Sequence, residues 1–273
     1  MKNSIKFVAS AGLLALLLAS CGNKNTIADK TLVVGASPTP HALILEAARP
    51  AIEAAGYTLK IVEFTDYILP NLSLQDGELD ANYFQHLPYL EDFNVKNETD
   101  LVSALAVHFE PLGIYAGKKS SLSQVATGDR IAIPNDNTNG GRALLLLAQE
   151  GLLTAKEGTA AKGIAVTLDD FDNTLYQLDI YQTNAEAVPS ALGDVAFGVI
   201  NGNYALSAQV TDSILAQESS ESTAALTYAN IIAVKAGNEN EAAITVLKEA
   251  LTSETIRDYI LTTFGGAVVP VFA

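Results

Sequence analysis

The amino-acid sequence predicts an α/β fold in two lobes with a cleft between them, and three observations carry that expectation. Strand-like apolar runs alternate with helical runs from Thr31 to the C-terminus, the pattern of βαβ units and of largely parallel sheets. A short signature recurs in each half beside a strand, as Leu79-Asp80-Ala81 and as Asp194-Val195-Ala196, which suggests equivalent strands in two similar lobes. The chain is 273 residues long and 49% hydrophobic, enough for two small cores. The expected boundaries are 31–112 for the first lobe, 113–230 for the second and 231–273 for a return to the first, ending in helices.

The elements follow in order. TLVVGAS reads as a strand running into a Pro-containing turn, and ALILEAARPAIEAAG as a helix ending at Gly56, with Pro50 predicting a kink or two helices. TLKIVEFT is a strand, and YILPNLSLQDGELDANYF is a helix after Pro70 followed by a strand. LVSALAVHFEPLGIYAGK is a long β-rich run broken at Glu110-Pro111. RIAIPND is a strand and NTNGGRALLLLAQEGLL a helix. AVTLDD and QLDIYQ are strand candidates, EAVPSALG is a short helix, DVAFGVI and NIIAVKAG are strands, and the tail is helical.

The N-terminus predicts export. Lys2 and Lys6 precede fourteen apolar and small residues, FVASAGLLALLLAS, a length that suits a signal-peptide core better than a membrane span. Leu18-Ala19-Ser20-Cys21 resembles a bacterial lipobox, so residues 1–20 are expected to be removed and Cys21, the sole cysteine, to carry palmitate and further lipid. Residues 21–30 form the lipidated start and a polar tether. A single acyl chain anchors only marginally, so several are needed. The formal charge of −15 argues against nucleic acid and against electrostatic adhesion to anionic lipid. One cysteine and three scattered histidines make a poor metal set, and no cofactor is implied.

Three stretches could carry chemistry. PNDNTNGGR (134–142) follows a strand and opens a helix, whose unpaired N–H groups and dipole favour an anion; Arg142 adds a fork suited to a carboxylate. The alternative is a plain helix cap with a solvated arginine. A calcium loop starting at Asp136 fails because its twelfth residue is Leu147, and a P-loop fails for want of Gly-Lys-[Ser/Thr]. NGNYA (201–205) is either a turn or a source of amide groups at a strand end. LDANYFQHLPYLEDF (79–93) concentrates Tyr83, Phe84, Tyr89 and Phe93 with His86. Strand alternation places Phe84 and His86 on one face and Tyr83 on the other. These aromatics are either core or one wall of a ligand site.

VVGASPTPHALILE, EFTDYILPN, GELDANYFQHLPYLEDF, IAIPNDNTNGGRALLLL and VINGNYA together resemble the MetQ/NlpA family, lipoprotein solute-binding components of methionine-uptake ABC transporters. The resemblance runs from Thr31 to the C-terminal FGGAV. It implies a type II periplasmic-binding-protein-like fold and a monomer that captures methionine, L- or D-, and delivers it to permease and ATPase subunits at the outer face of the cytoplasmic membrane. It implies that Tyr67, Phe84, His86 and Tyr89 line a pocket for the thioether and that Arg142 with Asn139 holds the α-carboxylate. Asn201 would bind the amino or carboxylate end, with Tyr228 and Asn230 as further members. Leu43 and Ser190 depart from the family pattern, which keeps other ligands open: a methionine-containing dipeptide, another apolar amino acid, or a surface role without transport. Catalysis is not expected, because no Gly-x-Ser-x-Gly or triad pattern accompanies His41, His86 or His108.

Overall fold

The structure is a computed structural model that describes residues 30–163, 165–220 and 223–273. The signal peptide, Cys21 and the tether up to residue 29 lie outside the described residues. From the N-terminal side the strands are β1 (Thr31–Ala36), β2 (Thr58–Glu63), β3 (Ala81–His86) and β4 (Leu101–Phe109). Then come β5 (Gly113–Ala116), β6 (Arg130–Pro134), β7 (Thr154–Ala155), β8 (Phe171–Asp172), β9 (Asp179–Thr183), β10 (Phe197–Ile200) and β11 (Ile214–Gln217). The chain closes with β12 (Asn230–Lys235) and β13 (Val269–Pro270). The helices are α1 (Leu43–Ala54), α2 (Leu69–Gln75), α3 (Leu87–Asn97), α4 (Asn137–Gln149), α5 (Val188–Ala191), α6 (Gly202–Ser207), α7 (Thr223–Thr227), α8 (Ala242–Leu251) and α9 (Glu254–Phe264). Among the described residues no helix is long and apolar enough to cross a membrane.

Two sheets organise the molecule, in the orders β2-β1-β3-β12-β4-β13 and β9-β6-β10-β5-β11. In the first, β2, β1 and β3 are parallel while β12, β4 and β13 run antiparallel to their neighbours. In the second, β9, β6 and β10 are parallel, and β5 and β11 are antiparallel. The first five strands of each sheet therefore repeat one pattern, with β3 and β10 as counterparts. The strand following the Leu79-Asp80-Ala81 signature corresponds to the strand following Asp194-Val195-Ala196. The sheets are mixed rather than largely parallel because β12 and β5, the strands that begin after each crossing, enter from the opposite end.

Each sheet is covered on both faces. Ile44, Leu45, Ala48 and Ile52 of α1 pack with Ile244, Leu247 and Leu251 of α8 and with Ile256 and Ile260 of α9 against Leu32, Val34 and Tyr83. Pro50 does not divide α1. Its ring lies on the exposed face, while the buried stripe continues past it. In the other lobe Leu144, Leu146 and Leu147 of α4 cover Ile131, Ile133, Phe197 and Val199. AVTLDD forms no long strand: Leu168–Asp170 is a turn of 3₁₀ helix closed by Asp170 on the Thr167 backbone, followed by the two-residue β8. The helix α3 was not anticipated, although Pro88 in its first turn and His86 as its cap are helix-start signals.

Candidate ligand-binding site

Residues 86, 109–110, 134–136 and 200–201 close four strands or the loops just beyond them, so they meet at the edge where ligands gather in open α/β sheets. A cavity lies there between the lobes. Tyr67, Phe84, Gln85, His86, Tyr89, Glu110, Asn139, Arg142, Asn201, Gly202, Asn203 and Asn230 line it.

Its apolar end is aromatic. Tyr67 stands 5.7 Å from both Phe84 and Tyr89, ring centre to ring centre, and 4.9 Å from Tyr204. Phe84 and His86 face the cavity and Tyr83 faces the core, as alternation predicts. Gln85 borders the cavity as well, with its amide held by Asn71 and Asn82, and β3 bulges beside it: Gln85 pairs with Ile231 and Tyr83 with Ile232, which leaves Phe84 as an extra residue. Tyr67 donates to the Asn203 Oδ1 at 2.5 Å and Tyr204 to the Thr65 carbonyl at 3.2 Å, two bonds that tie the lobes together.

At the polar end one oxygen, the Asn139 Oδ1, gathers three other side chains. The His86 Nδ1 accepts from the Tyr89 N–H and caps α3, which leaves Nε2–H to donate to the Asn139 Oδ1 at 3.2 Å. Asn201 Nδ2 donates to the same oxygen at 2.8 Å and Arg142 Nη1 approaches it at 3.4 Å. Burial, followed by the nearby Arg142 charge, lowers the His86 pKa to about 3, so the imidazole is neutral. The start of α4 is not open to a ligand anion. Asp136 caps it by accepting from the Asn139 N–H at 2.8 Å, and its carboxylate also holds the Asn139 Nδ2.

Arg142 is buried, with its Nε and Nη2 engaged by both oxygens of Glu218 at 3.1 and 2.6 Å. Its guanidinium carbon lies 4.2 Å over the Tyr228 ring. The edge bearing Nη1 remains toward Asn139 and the cavity. Tyr228 does not line the cavity; it is the platform beneath Arg142 and stands 5.4 Å from His86. Leu43 and Ser190 are exposed and away from the cavity.

A third group lies behind the lining. His108 Nδ1 pairs with the Tyr83 hydroxyl, so His108 Nε2–H donates to the Glu110 Oε1 at 2.8 Å. The His41 Nε2 lies 3.0 Å from the Asn230 Oδ1 and 3.3 Å from the Glu110 Oε1. Two imidazoles and a carboxylate at such spacing have the composition of a metal site. A metal-bound histidine, however, donates its other ring N–H to a partner, and His41 Nδ1 is buried without one. The arrangement is a hydrogen-bond relay: His41 Nε2–H donates toward Asn230 and Glu110, and Nδ1 is left as a buried acceptor without a donor.

A family model described as NlpA lipoprotein matches residues 32–272. The chain belongs to the NlpA lipoprotein family. It is 40% identical over 263 residues to the methionine-binding lipoprotein MetQ of Bacillus subtilis (strain 168), covering 93% of this chain and 94% of that one. Among solved structures, a nutrient binding protein from Burkholderia cenocepacia bound to methionine superposes with a TM-score of 0.81 at 36% identity, over 88% of this chain and all (100%) of that one. Lipoprotein Tp32 from Treponema pallidum superposes with a TM-score of 0.81 at 35% identity, over 88% of this chain and 99% of that one. These likenesses establish the two-lobed α/β solute-binding fold for this NlpA-family chain.

Of the residues singled out in the sequence, Tyr67, Phe84, His86, Tyr89, Asn139, Arg142, Asn201 and Asn230 meet at the cavity. Asn203, a candidate amide source in the NGNYA stretch, also lines the cavity with its neighbour Gly202, whereas Gln85, Glu110 and the clamp Glu218 were not anticipated. Glu110 sits beside the recognised Glu-Pro break, and that interruption of a β-run was the available signal. Glu218 has none, since its partner lies 76 positions away.

Proposed function

We propose that this NlpA-family lipoprotein captures methionine in the cleft and delivers it to an ABC importer. The observation that carries the reading is the polarity of the cavity: aromatic at one end, with Arg142, Asn139, Asn201 and Asn230 at the other. A zwitterion with a thioether tail matches it. Tyr67, Phe84 and Tyr89 would hold the tail, with sulfur–ring contacts on the order of 0.3–1.5 kcal/mol each. The free edge of Arg142 would take the α-carboxylate, supported by Asn139 and Asn230. The relative named methionine-binding lipoprotein and the solved nutrient binding protein bound to methionine support the same ligand. The working lobe boundaries remain 31–112, 113–230 and 231–273. The mature chain would act as a monomer, tethered by lipid on Cys21 at the outer face of the cytoplasmic membrane, docking on permease and ATPase subunits and catalysing nothing.

The test is calorimetric titration of protein stripped of ligand by unfolding and refolding, with L-methionine, D-methionine, glycyl-methionine and leucine. Tight L-methionine binding is expected, weakened about tenfold in Phe84→Ala and about 10- to 100-fold in Arg142→Ala. Well-folded protein that ignores methionine while binding glycyl-methionine or leucine would overturn the ligand assignment.

A further inference from the structure

We propose that Tyr204 is a catch that holds the cleft shut and sets how fast the ligand leaves, without touching the ligand itself. The proposal deepens the capture reading and rests on it.

The catch is built on Tyr67, which belongs to one lobe and packs in the other. Its turn follows β2 of the first sheet, yet its ring packs against a cluster that includes Tyr115, Val188, Val195, Ile200 and Tyr204, from segments of the second lobe. The same ring packs on Phe84, Tyr89 and Phe93 of the first lobe. Tyr67 therefore bridges two apolar clusters over the aromatic end of the cavity. The turn that carries it is not a free flap. The Phe64 N–H donates to the Ala36 carbonyl at 2.9 Å, and the Tyr89 hydroxyl donates to the Tyr67 carbonyl at 3.0 Å. Asp66 Oδ1 accepts from the Ile68 and Leu69 N–H groups at 2.7 and 2.8 Å. With the turn pinned to its own lobe, Tyr67 withdraws from the second lobe only when the lobes separate.

Tyr204 opposes that separation in two ways. Its ring lies 4.9 Å from the Tyr67 ring at an interplanar angle of 31°, within the range where aromatic pairs attract. Its hydroxyl, carried by α6 of the second lobe, donates to the Thr65 carbonyl at 3.2 Å. The Tyr67 hydroxyl donates the other way, to the Asn203 Oδ1 at 2.5 Å. The two bonds cross the cleft in opposite directions, and both must break before the aromatic end can open. Burial raises the pKa of both hydroxyls, so both stay protonated donors at neutral pH. Tyr204 does not line the cavity, so it acts on the ligand through Tyr67 and the lobe contact, as a positioning residue. The closed state gains from the catch while the encounter of ligand with the open cleft does not, so losing it shows in the dissociation rate.

The experiment follows radiolabelled L-methionine on the full soluble chain, with association measured after rapid mixing and dissociation by a chase with excess unlabelled methionine. Tyr204→Phe keeps the ring and loses the hydroxyl, and is expected to raise the dissociation rate constant about 3- to 10-fold. Tyr204→Leu, which also loses the ring contact, should raise it further. In Tyr204→Phe the association rate constant should not fall, and the preference for methionine over leucine should match wild type. An unchanged dissociation rate in folded Tyr204→Phe, an affinity loss carried by slower association, or an altered ligand preference would overturn the proposal. Should both Tyr204 variants fail to fold, Asp66→Ala decides, because it loosens the turn that presents Tyr67 and Thr65 to the catch. Faster dissociation is expected there too, and an unchanged rate would overturn the proposal equally. Folded wild-type protein that binds no methionine would sink the capture reading, and the catch with it.

Discussion

Arg142 shows how much of a residue's behaviour is set by a neighbour remote in sequence. Its own motif suggests a free guanidinium waiting for a carboxylate, but Glu218 grips two of its nitrogens and Tyr228 backs its plane. The clamp fixes which edge can face a ligand, and fixed donors lose less entropy on binding. Removing one partner of a buried ion pair leaves the other uncompensated. Glu218→Ala is therefore expected to destabilise the fold by about 3 kcal/mol in urea titrations, whereas Glu218→Asp, which keeps the charge, should cost clearly less. Equal losses in both variants would show that packing, not the ion pair, matters. Arg142 was legible as a site residue because it follows a strand and opens a helix; Glu218 carries no local pattern at all.

At the scale of elements, α4 depends on Asp136. That carboxylate caps the helix through the Asn139 N–H and holds the Asn139 side chain, whose oxygen gathers His86, Asn201 and Arg142. Asp136→Ala should cost about 1–2 kcal/mol in stability and weaken ligand binding as well, because Asn139 loses its orientation. A stability loss with unchanged affinity would separate the cap from the site. The approach of β5 to the turn before β10 is set by Gly117, where a Cβ would meet the carbonyl oxygens of Val195, Leu192 and Ala196 at 2.4, 2.7 and 2.9 Å. Backbone atoms cannot swing aside as side chains can. Gly117→Ala is expected to lower stability by about 1–3 kcal/mol, and an unchanged denaturation midpoint would refute this. The helix α3 escaped detection because its apolar residues are few and its cap, His86, also belongs to the aromatic motif.

Across the whole molecule, the two sheets repeat one strand pattern, and the cleft lies where their carboxyl edges meet. Three histidines are buried there and neutral: His41 at about 4, His86 and His108 at about 3, each lowered chiefly by burial. A depressed pKa favours the folded state above the unfolded value near 6.5, and that stability is lost as pH falls toward 4 and then 3. For His41 alone the shift corresponds to on the order of 3 kcal/mol. Glu110 acts oppositely: its raised pKa stabilises the fold at low pH, and the benefit fades as pH climbs through about 7. The melting temperature should accordingly fall steeply between pH 6.5 and 4. A His41→Gln variant that still folds should show a shallower fall, and an identical slope would exclude His41 from the transition.

The sequence by itself determined the fold class, the two-lobed plan and most of the residues that line the cavity. Hydrophobic periodicity sets elements, and Tyr67, Phe84, His86, Asn139, Arg142 and Asn201 sit at strand ends or helix starts that local pattern reveals. Tertiary structure alone decided the antiparallel entry of β5 and β12, the bulge at Phe84 in β3, and the pairing of Arg142 with Glu218. It alone joined His41, Tyr83 and His108 behind Glu110. Each of these depends on the register between distant strands, and a side chain's partner across a cleft leaves no periodic trace in the chain that carries it.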